Sequence, residues 1–186
     1  LRGQNNVQGA CDMGCGPVDL PGYQKIANDD VRRKWEQAWG VSLPARSGMT
    51  KVTAIDAMLE GQVKAVYIMG ENEVISEAHA SKTKRALEAA EFLVVQDIFL
   101  TETAALADVV LPAASFAETD GTVTNTERRV QRMRKAVEPP GEARDDWRIV
   151  AELSTRLGYP MNYDDASQIW DEMAGQTPAF TGMSYE

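Results

Sequence analysis

Val63-Lys-Ala-Val-Tyr-Ile-Met-Gly-Glu-Asn72 decides the fold. Its first seven residues are short, rich in β-branched side chains and mostly apolar, the pattern of a buried strand. The strand runs directly into Gly70-Glu71-Asn72. A helical pattern follows from about Ser76 to Ala90, and Phe92-Leu-Val-Val-Gln-Asp97 then reads as a second apolar strand with a polar end. Thr101 or Thr103 opens a short helix, and Ala107-Asp-Val-Val-Leu-Pro112 is a third strand halted by proline. Strands alternating with helices at these lengths predict parallel strands joined by right-handed crossovers. The fold class is α/β, a parallel sheet flanked by helices, preceded by an irregular N-terminal loop segment.

Working outward, residues 1–25 read as loop, punctuated by Pro17 and Pro21. Asp29 or Asp30 caps a helix to about Trp39, with Val31, Trp35 and Trp39 on one face and Gly40 ending it. Thr50 caps a second helix, with Val52, Ile55 and Leu59 on one face and Gly61 as its stop. Downstream, Gly121–Asn125 reads as a short strand or loop, and five basic residues crowd positions 128–135. Asp145 or Asp146 caps a helix with Trp147, Val150, Leu153 and Leu157 facing inward, and a last short helix gathers Ile169, Trp170 and Met173. The expected organisation is an N-terminal loop and helix segment (1–48), the α/β domain (49–160) and a C-terminal extension (161–186).

Composition narrows the function classes. A chain of 186 residues with 44% hydrophobic and 25% charged content can bury a core of its own. The net charge of −9 argues against nucleic acid and anionic membranes as partners. No apolar run approaches the roughly 18 residues of a membrane span. An anionic ligand must therefore be held by local devices such as backbone amides, helix starts or single arginines. Cys11, Cys15 and His79 are too few for a closed zinc site or a disulfide framework, so no residue is assigned to a metal. His79 is expected to face solvent.

In open parallel sheets, ligands bind at the carboxyl ends of the strands. Gly70-Glu71-Asn72 and Gln96-Asp97 both fall there. A glycine lets the backbone turn sharply beside a ligand. A carboxylate at that edge can accept hydrogen bonds from a ribose or a purine, and the helix after Asn72 would turn its positive end toward phosphate. Ordinary strand-end turns and helix caps are the alternative. Neither a G-x-G-x-x-G fingerprint nor a P-loop is present. No nucleophile–base–acid set can be read from the chain.

The opening residues are of another kind. Leu1–Gly14 holds three glycines, two glutamines, two asparagines and one arginine, with almost no apolar periodicity. Such a segment packs poorly but offers donors, acceptors and a planar cationic fork to a polar ligand. An irregular terminal segment is the alternative. The chain opens without Met, enters this motif at once, and reads as a piece of a longer polypeptide.

Arg2-Gly-Gln-Asn-Asn-Val-Gln-Gly-Ala-Cys-Asp-Met-Gly14 resembles the signature of formate dehydrogenase alpha subunits, within the molybdopterin oxidoreductase (dimethyl sulfoxide reductase-type) family. The resemblance continues through Tyr67–Asn72, Val94–Ala104, Ala107–Pro112, Glu118-x-x-Gly121-Thr-x-Thr-Asn125-x-Glu-Arg-Arg129 and Asp146-Trp147. It implies a Rossmann-like domain holding one of two molybdopterin guanine dinucleotides (bis-MGD), with molybdenum or tungsten and an iron–sulfur cluster supplied outside this chain. It places Gly70, Glu71 and Asn72 near the cofactor's phosphates and sugar, and Gln96, Asp97 and Asp146 at the guanosine end. Arg2 resembles the arginine that steers formate, with Gln4 and Asn5 beside the cofactor. A guanidinium can hold a small carboxylate through two parallel hydrogen bonds.

The metal's cysteine or selenocysteine ligand and its neighbouring histidine would lie upstream. Cys11 does not match that ligand's position, and Cys15 stands where a small non-cysteine residue is expected. The resemblance implies formate oxidation to CO2 by the whole protein, with the isolated piece inactive. Its expected partners are the rest of the same polypeptide, formate and electron-transfer subunits. The expected location is the cytoplasm, with the periplasm as alternative. Competing readings are another member such as nitrate reductase, or a non-catalytic module like the large iron–sulfur subunit of respiratory complex I.

Overall fold

A computed structural model describes residues 4–186. In chain order the helices and strands begin with α1 (Val7–Asp12), β1 (Asp19–Leu20), β2 (Gln24–Lys25), α2 (Asp29–Trp39), α3 (Lys51–Leu59), β3 (Ala65–Met69) and α4 (Glu73–Ser76). They continue with α5 (Ala80–Ala89), β4 (Phe92–Asp97), β5 (Val109–Pro112), β6 (Gly121–Thr124), β7 (Val130–Met133), α6 (Asp146–Arg156) and α7 (Ala166–Gln176). They divide between two compact units. One comprises residues 1–48, 120–134 and 162–186, and the other 49–119 and 135–161.

The second unit holds the parallel sheet, in the order β3-β4-β5. Ala65 pairs with Phe92 and Met69 with Gln96, and Val94 pairs with Val109 and Asp97 with Pro112. Both pairings are parallel, as the alternation of strand and helix requires. The core lies on one face, where Ile68, Leu93 and Val95 pack with Ile55 and Met58 of α3 and Ala86 and Leu87 of α5. Thr50 caps α3 as expected, its hydroxyl accepting from the Thr53 amide.

Several details differ from the sequence expectation. The buried side of α3 is Ile55, Ala57 and Met58, whereas Val52 and Leu59 are exposed. β3 is buried only at Ile68. Its other face carries Tyr67 and Met69, exposed like Phe92 beside them. Apolar content alone does not say which face of a strand finds a partner. The helix read over 76–90 is α5, which starts only at Ala80 after exposed His79, and a separate single turn, α4, precedes it. Thr103 Oγ1 takes the Val74 amide hydrogen at 3.0 Å, which anchors that turn to the loop after β4. In α6 the buried residues are Ile149 and Ala151, and Leu153 and Leu157 are exposed.

The first unit is built around Trp35, Trp170 and Phe180. Trp35 lies against Trp39 at 4.6 Å between ring centres, and Trp170 against Phe180 at 5.3 Å. The cap of α2 is Asn28, one residue ahead of the expected aspartates, and Gly40 ends the helix in the left-handed conformation. Residues 7–12, expected as loop, form α1, and Asp19–Leu20 pairs antiparallel with Gln24–Lys25. α1 has no apolar stripe because polar tertiary bonds hold it: Asn6 Oδ1 accepts from the Thr124 amide at 2.9 Å, and Asp12 pairs with Arg128 at 2.9 Å. β6 and β7 form a hairpin that carries basic residues, with Arg128, Arg129 and Arg132 exposed.

Candidate functional site

The parallel register sets the carboxyl ends of β3, β4 and β5 side by side. Gly70 follows β3 at φ +65°, and its amide donates to the Gln96 carbonyl at 2.9 Å. No atom lies within 4 Å of the place where a Cβ on Gly70 would stand, so the backbone there faces open space. Residues 50 positions away join the cluster through an isolated parallel bridge. Ala113 pairs with Arg144, the Arg144 amide donates to the Pro112 carbonyl at 3.1 Å, and the Ala114 amide donates to the Arg144 carbonyl at 2.8 Å. This seam delivers Asp145 and Asp146 to the strand ends.

Gln96 is the hub. It is fully buried at the end of the central strand. Its Nε2 donates to Asp146 Oδ1 at 2.5 Å, and its Oε1 accepts from the Tyr67 hydroxyl. A buried amide with both ends satisfied is held in one orientation. The Asp146 carboxyl is pushed above the usual carboxylate range, chiefly by desolvation. Asp145 and Asp97 push the same way, and the Gln96 hydrogen bond pulls against them. The residue as a whole still reaches solvent. Asp146 opens α6, yet its Oδ1 accepts from Gln96, and Asp145 makes no side-chain cap either. The reading of these two as helix caps does not describe their side chains.

The remaining sequence candidates are placed as follows. Asp97 Oδ1 accepts from the Ile98 and Phe99 amides at 2.7 and 3.4 Å, which leaves its Oδ2 for another donor. Asn72 is engaged at both ends of its amide: Oδ1 accepts from the Thr103 hydroxyl at 2.8 Å, and Nδ2 donates to Glu102 at 2.8 Å. Asn72 therefore ties two strand-end loops together. Glu71 lines a cavity of about 260 Å³ along β3, shared with Lys51, Met58 and Thr83. The helix start after Asn72 is one turn long, with its Val74 amide already donated, so it does not supply the positive end expected for a phosphate. In the first unit, Gln4 and Asn5 are exposed just ahead of α1. Arg2 lies outside the described residues. Among the described residues, no three His, Cys, Asp or Glu side chains group to hold a metal ion, and no helix is long and apolar enough to cross a membrane. Cys11 and Cys15 are free thiols.

Gly70, Gln96, Asp97 and Asp146 thus share one edge of the sheet. Their carboxylates make an anionic set of acceptors, suited to the N–H and O–H groups of a purine or a ribose and unsuited to bare phosphate. Tyr67 belongs to the same network and was not singled out from sequence. Alternation was the available signal, because Tyr67 and Gln96 point to the same face of adjacent parallel strands.

The molybdopterin oxidoreductase family model matches residues 3–156, spanning all of these elements. The chain belongs to the molybdopterin oxidoreductase family. Over its full length it is 52% identical to the F420-dependent formate dehydrogenase subunit alpha of Methanocaldococcus jannaschii, covering 28% of that protein. It is 46% identical to formate dehydrogenase H of Escherichia coli, covering 26% of that protein. Acetylene hydratase from Pelobacter acetylenicus matches it in structure with a TM-score of 0.61 and 27% identity, over 83% of this chain and 22% of that one. The chain spans about a quarter of the length of the curated relatives named here. Membership of the molybdopterin oxidoreductases implies a molybdopterin cofactor. The strand-end cluster offers such a group open space over Gly70, a partly desolvated carboxylate at Asp146, and a buried amide fixing that carboxylate.

Proposed function

We propose that this chain is part of the catalytic subunit of a formate dehydrogenase and holds the guanosine end of one molybdopterin guanine dinucleotide. The carrying observation is the Tyr67–Gln96–Asp146 network at the carboxyl edge of the parallel sheet. Asp146 and the free oxygen of Asp97 accept hydrogen bonds from the base or the ribose. Gln96 keeps the Asp146 carboxylate aimed, and Gly70 admits the ligand close to the backbone. Arg2 binds the formate carboxylate through its planar fork, with Gln4 and Asn5 in the same loop. The bound cofactor, with molybdenum or tungsten, supplies the two-electron acceptor, and iron–sulfur centres outside this chain take the electrons on. The isolated piece, lacking the metal's ligand, turns over no formate.

The test is a metal and pterin analysis of the full-length protein together with formate and nitrate turnover. Molybdenum or tungsten, guanine dinucleotide and formate oxidation are the expected results. Nitrate turnover without formate turnover assigns another reaction, and a metal-free, pterin-free protein assigns a structural module. Either result ends this reading.

Asp146 permits a second test, through pH. Its native carboxyl titrates above its unfolded value, so the ionised form opposes folding, and that penalty appears as pH rises through the native titration. Asp146→Asn keeps an acceptor for Gln96 and removes the charge. In the apoprotein the variant is expected to melt higher than the parent at pH 7, with the difference closing below about pH 4. Guanine dinucleotide content should fall in the same variant. A lower melting temperature at pH 7 combined with unchanged cofactor content would show Asp146 to be structural.

A further inference from the structure

We infer that Asp12 and Arg128 are positioning residues, a polar latch that locks the segment opening with Gln4 and Asn5 onto the β6–β7 hairpin. The inference rests on the reading above, in which that segment serves the substrate.

The latch has two points. At the start of α1, Asn6 Oδ1 accepts from the Thr124 amide of β6 at 2.9 Å. At its end, Arg128 in the β6–β7 turn donates to Asp12 Oδ1 at 2.9 Å. Asp12 is 3% exposed, so its carboxylate is a buried charge whose cation comes from 116 residues away. Gln8 Nε2 donates to Asp12 at 3.0 Å and to the Tyr23 hydroxyl at 3.3 Å, and the Asp12 carbonyl accepts from the Gly22 amide at 2.7 Å. α1 and the hairpin turn thus meet at the Asp12 carboxylate, and the Gly22–Tyr23 turn joins them through the Asp12 carbonyl and Gln8. Two stretches far apart in sequence, around Asn6–Asp12 and Thr124–Arg128, are tied together.

Backbone strain marks the same point. Among the described residues, the only non-glycine residues with positive φ are Tyr23 at +59° and Arg128 at +61°. The Arg128 guanidinium lies 5.6 Å from the centre of the Tyr23 ring, and both side chains belong to the Asp12 cluster. Left-handed backbone at a tyrosine or an arginine is costly and persists only where surroundings over-determine it. A turn with no other duty would be better served by glycine at position 128. The arginine is kept where its backbone disfavours it because its guanidinium reaches Asp12.

That conflict supplies the test. In the full-length protein, Arg128→Gly suits the turn but opens the latch, and Arg128→Lys restores a cation without the fork. Hydrogen exchange at amides in Val7–Met13 is expected to quicken at least about tenfold in Arg128→Gly, with β4 amides unchanged and metal and pterin content equal. The KM for formate should rise about tenfold with a smaller change in kcat, and Arg128→Lys should recover part of both effects. Unchanged exchange in Val7–Met13 overturns the latch. Faster exchange with an unchanged KM overturns the positioning role. A wild-type protein that carries the cofactor but turns over no formate overturns the underlying reading instead, while the exchange result still decides the latch.

Discussion

Arg2→Ala is expected to raise the KM for formate about a hundredfold in the full-length protein, with kcat lowered less. The expectation comes from sequence, since Arg2 lies outside the described residues. Formate offers only a carboxylate to grip, and a guanidinium matches it with two charge-assisted hydrogen bonds. Losing a pair of such bonds costs about 2–3 kcal/mol, and every 1.4 kcal/mol is a factor of about ten. Arg2→Lys keeps the charge and loses the fork, so it should fall between the parent and the alanine variant. Steady-state kinetics with formate, corrected for metal content, measures the effect. A KM unmoved by Arg2→Ala removes the assigned role.

Leu93→Ala is expected to lower the stability of the unit that holds the sheet by about 2–5 kcal/mol, the range for deleting a buried leucine side chain. Leu93 is 1% exposed on the central strand, packed with Ile68, Ala86 and Leu87. Phe92, its neighbour in sequence, is 46% exposed on the opposite face. Phe92→Ala should therefore cost less than about 1 kcal/mol, although phenylalanine is the larger side chain. Urea unfolding monitored by exchange at β4 amides separates the two variants. Equal losses would mean that the assigned core face is wrong. Because Gln96 and Asp97 end this same strand, loss of Leu93 should also lower cofactor content, whereas Phe92→Ala should leave it intact.

Much of the strand-end cluster could be read from sequence. Gly70, Gln96 and Asp97 were placed at strand ends by period and punctuation alone, and the register sets them side by side. Their convergence with Asp146 could not be read this way. It depends on the Ala113–Arg144 bridge, a pairing across 31 residues with no signal in either segment. Asn72 was read as facing a ligand because its type and place suit one, and the structure spends its amide on Thr103 and Glu102. A polar side chain at a loop satisfies the nearest donors and acceptors, and sequence does not reveal which loops are near. The helix α1 escaped notice for the same reason: hydrogen bonds from distant residues hold it, and no periodic apolar face announces it.

By itself, the sequence determined the α/β alternation, the parallel strands, the cap at Thr50 and the family, because these follow from local period, chain punctuation and contiguous motifs. Tertiary structure alone decided which strand face is covered, that residues 120–134 pack into the unit containing 1–48, and that Arg128 reaches Asp12. Local preferences act over a few residues. The strand face is covered by α3 and α5, and Asp12 meets a cation 116 positions away, where only the folded chain brings the partners within reach.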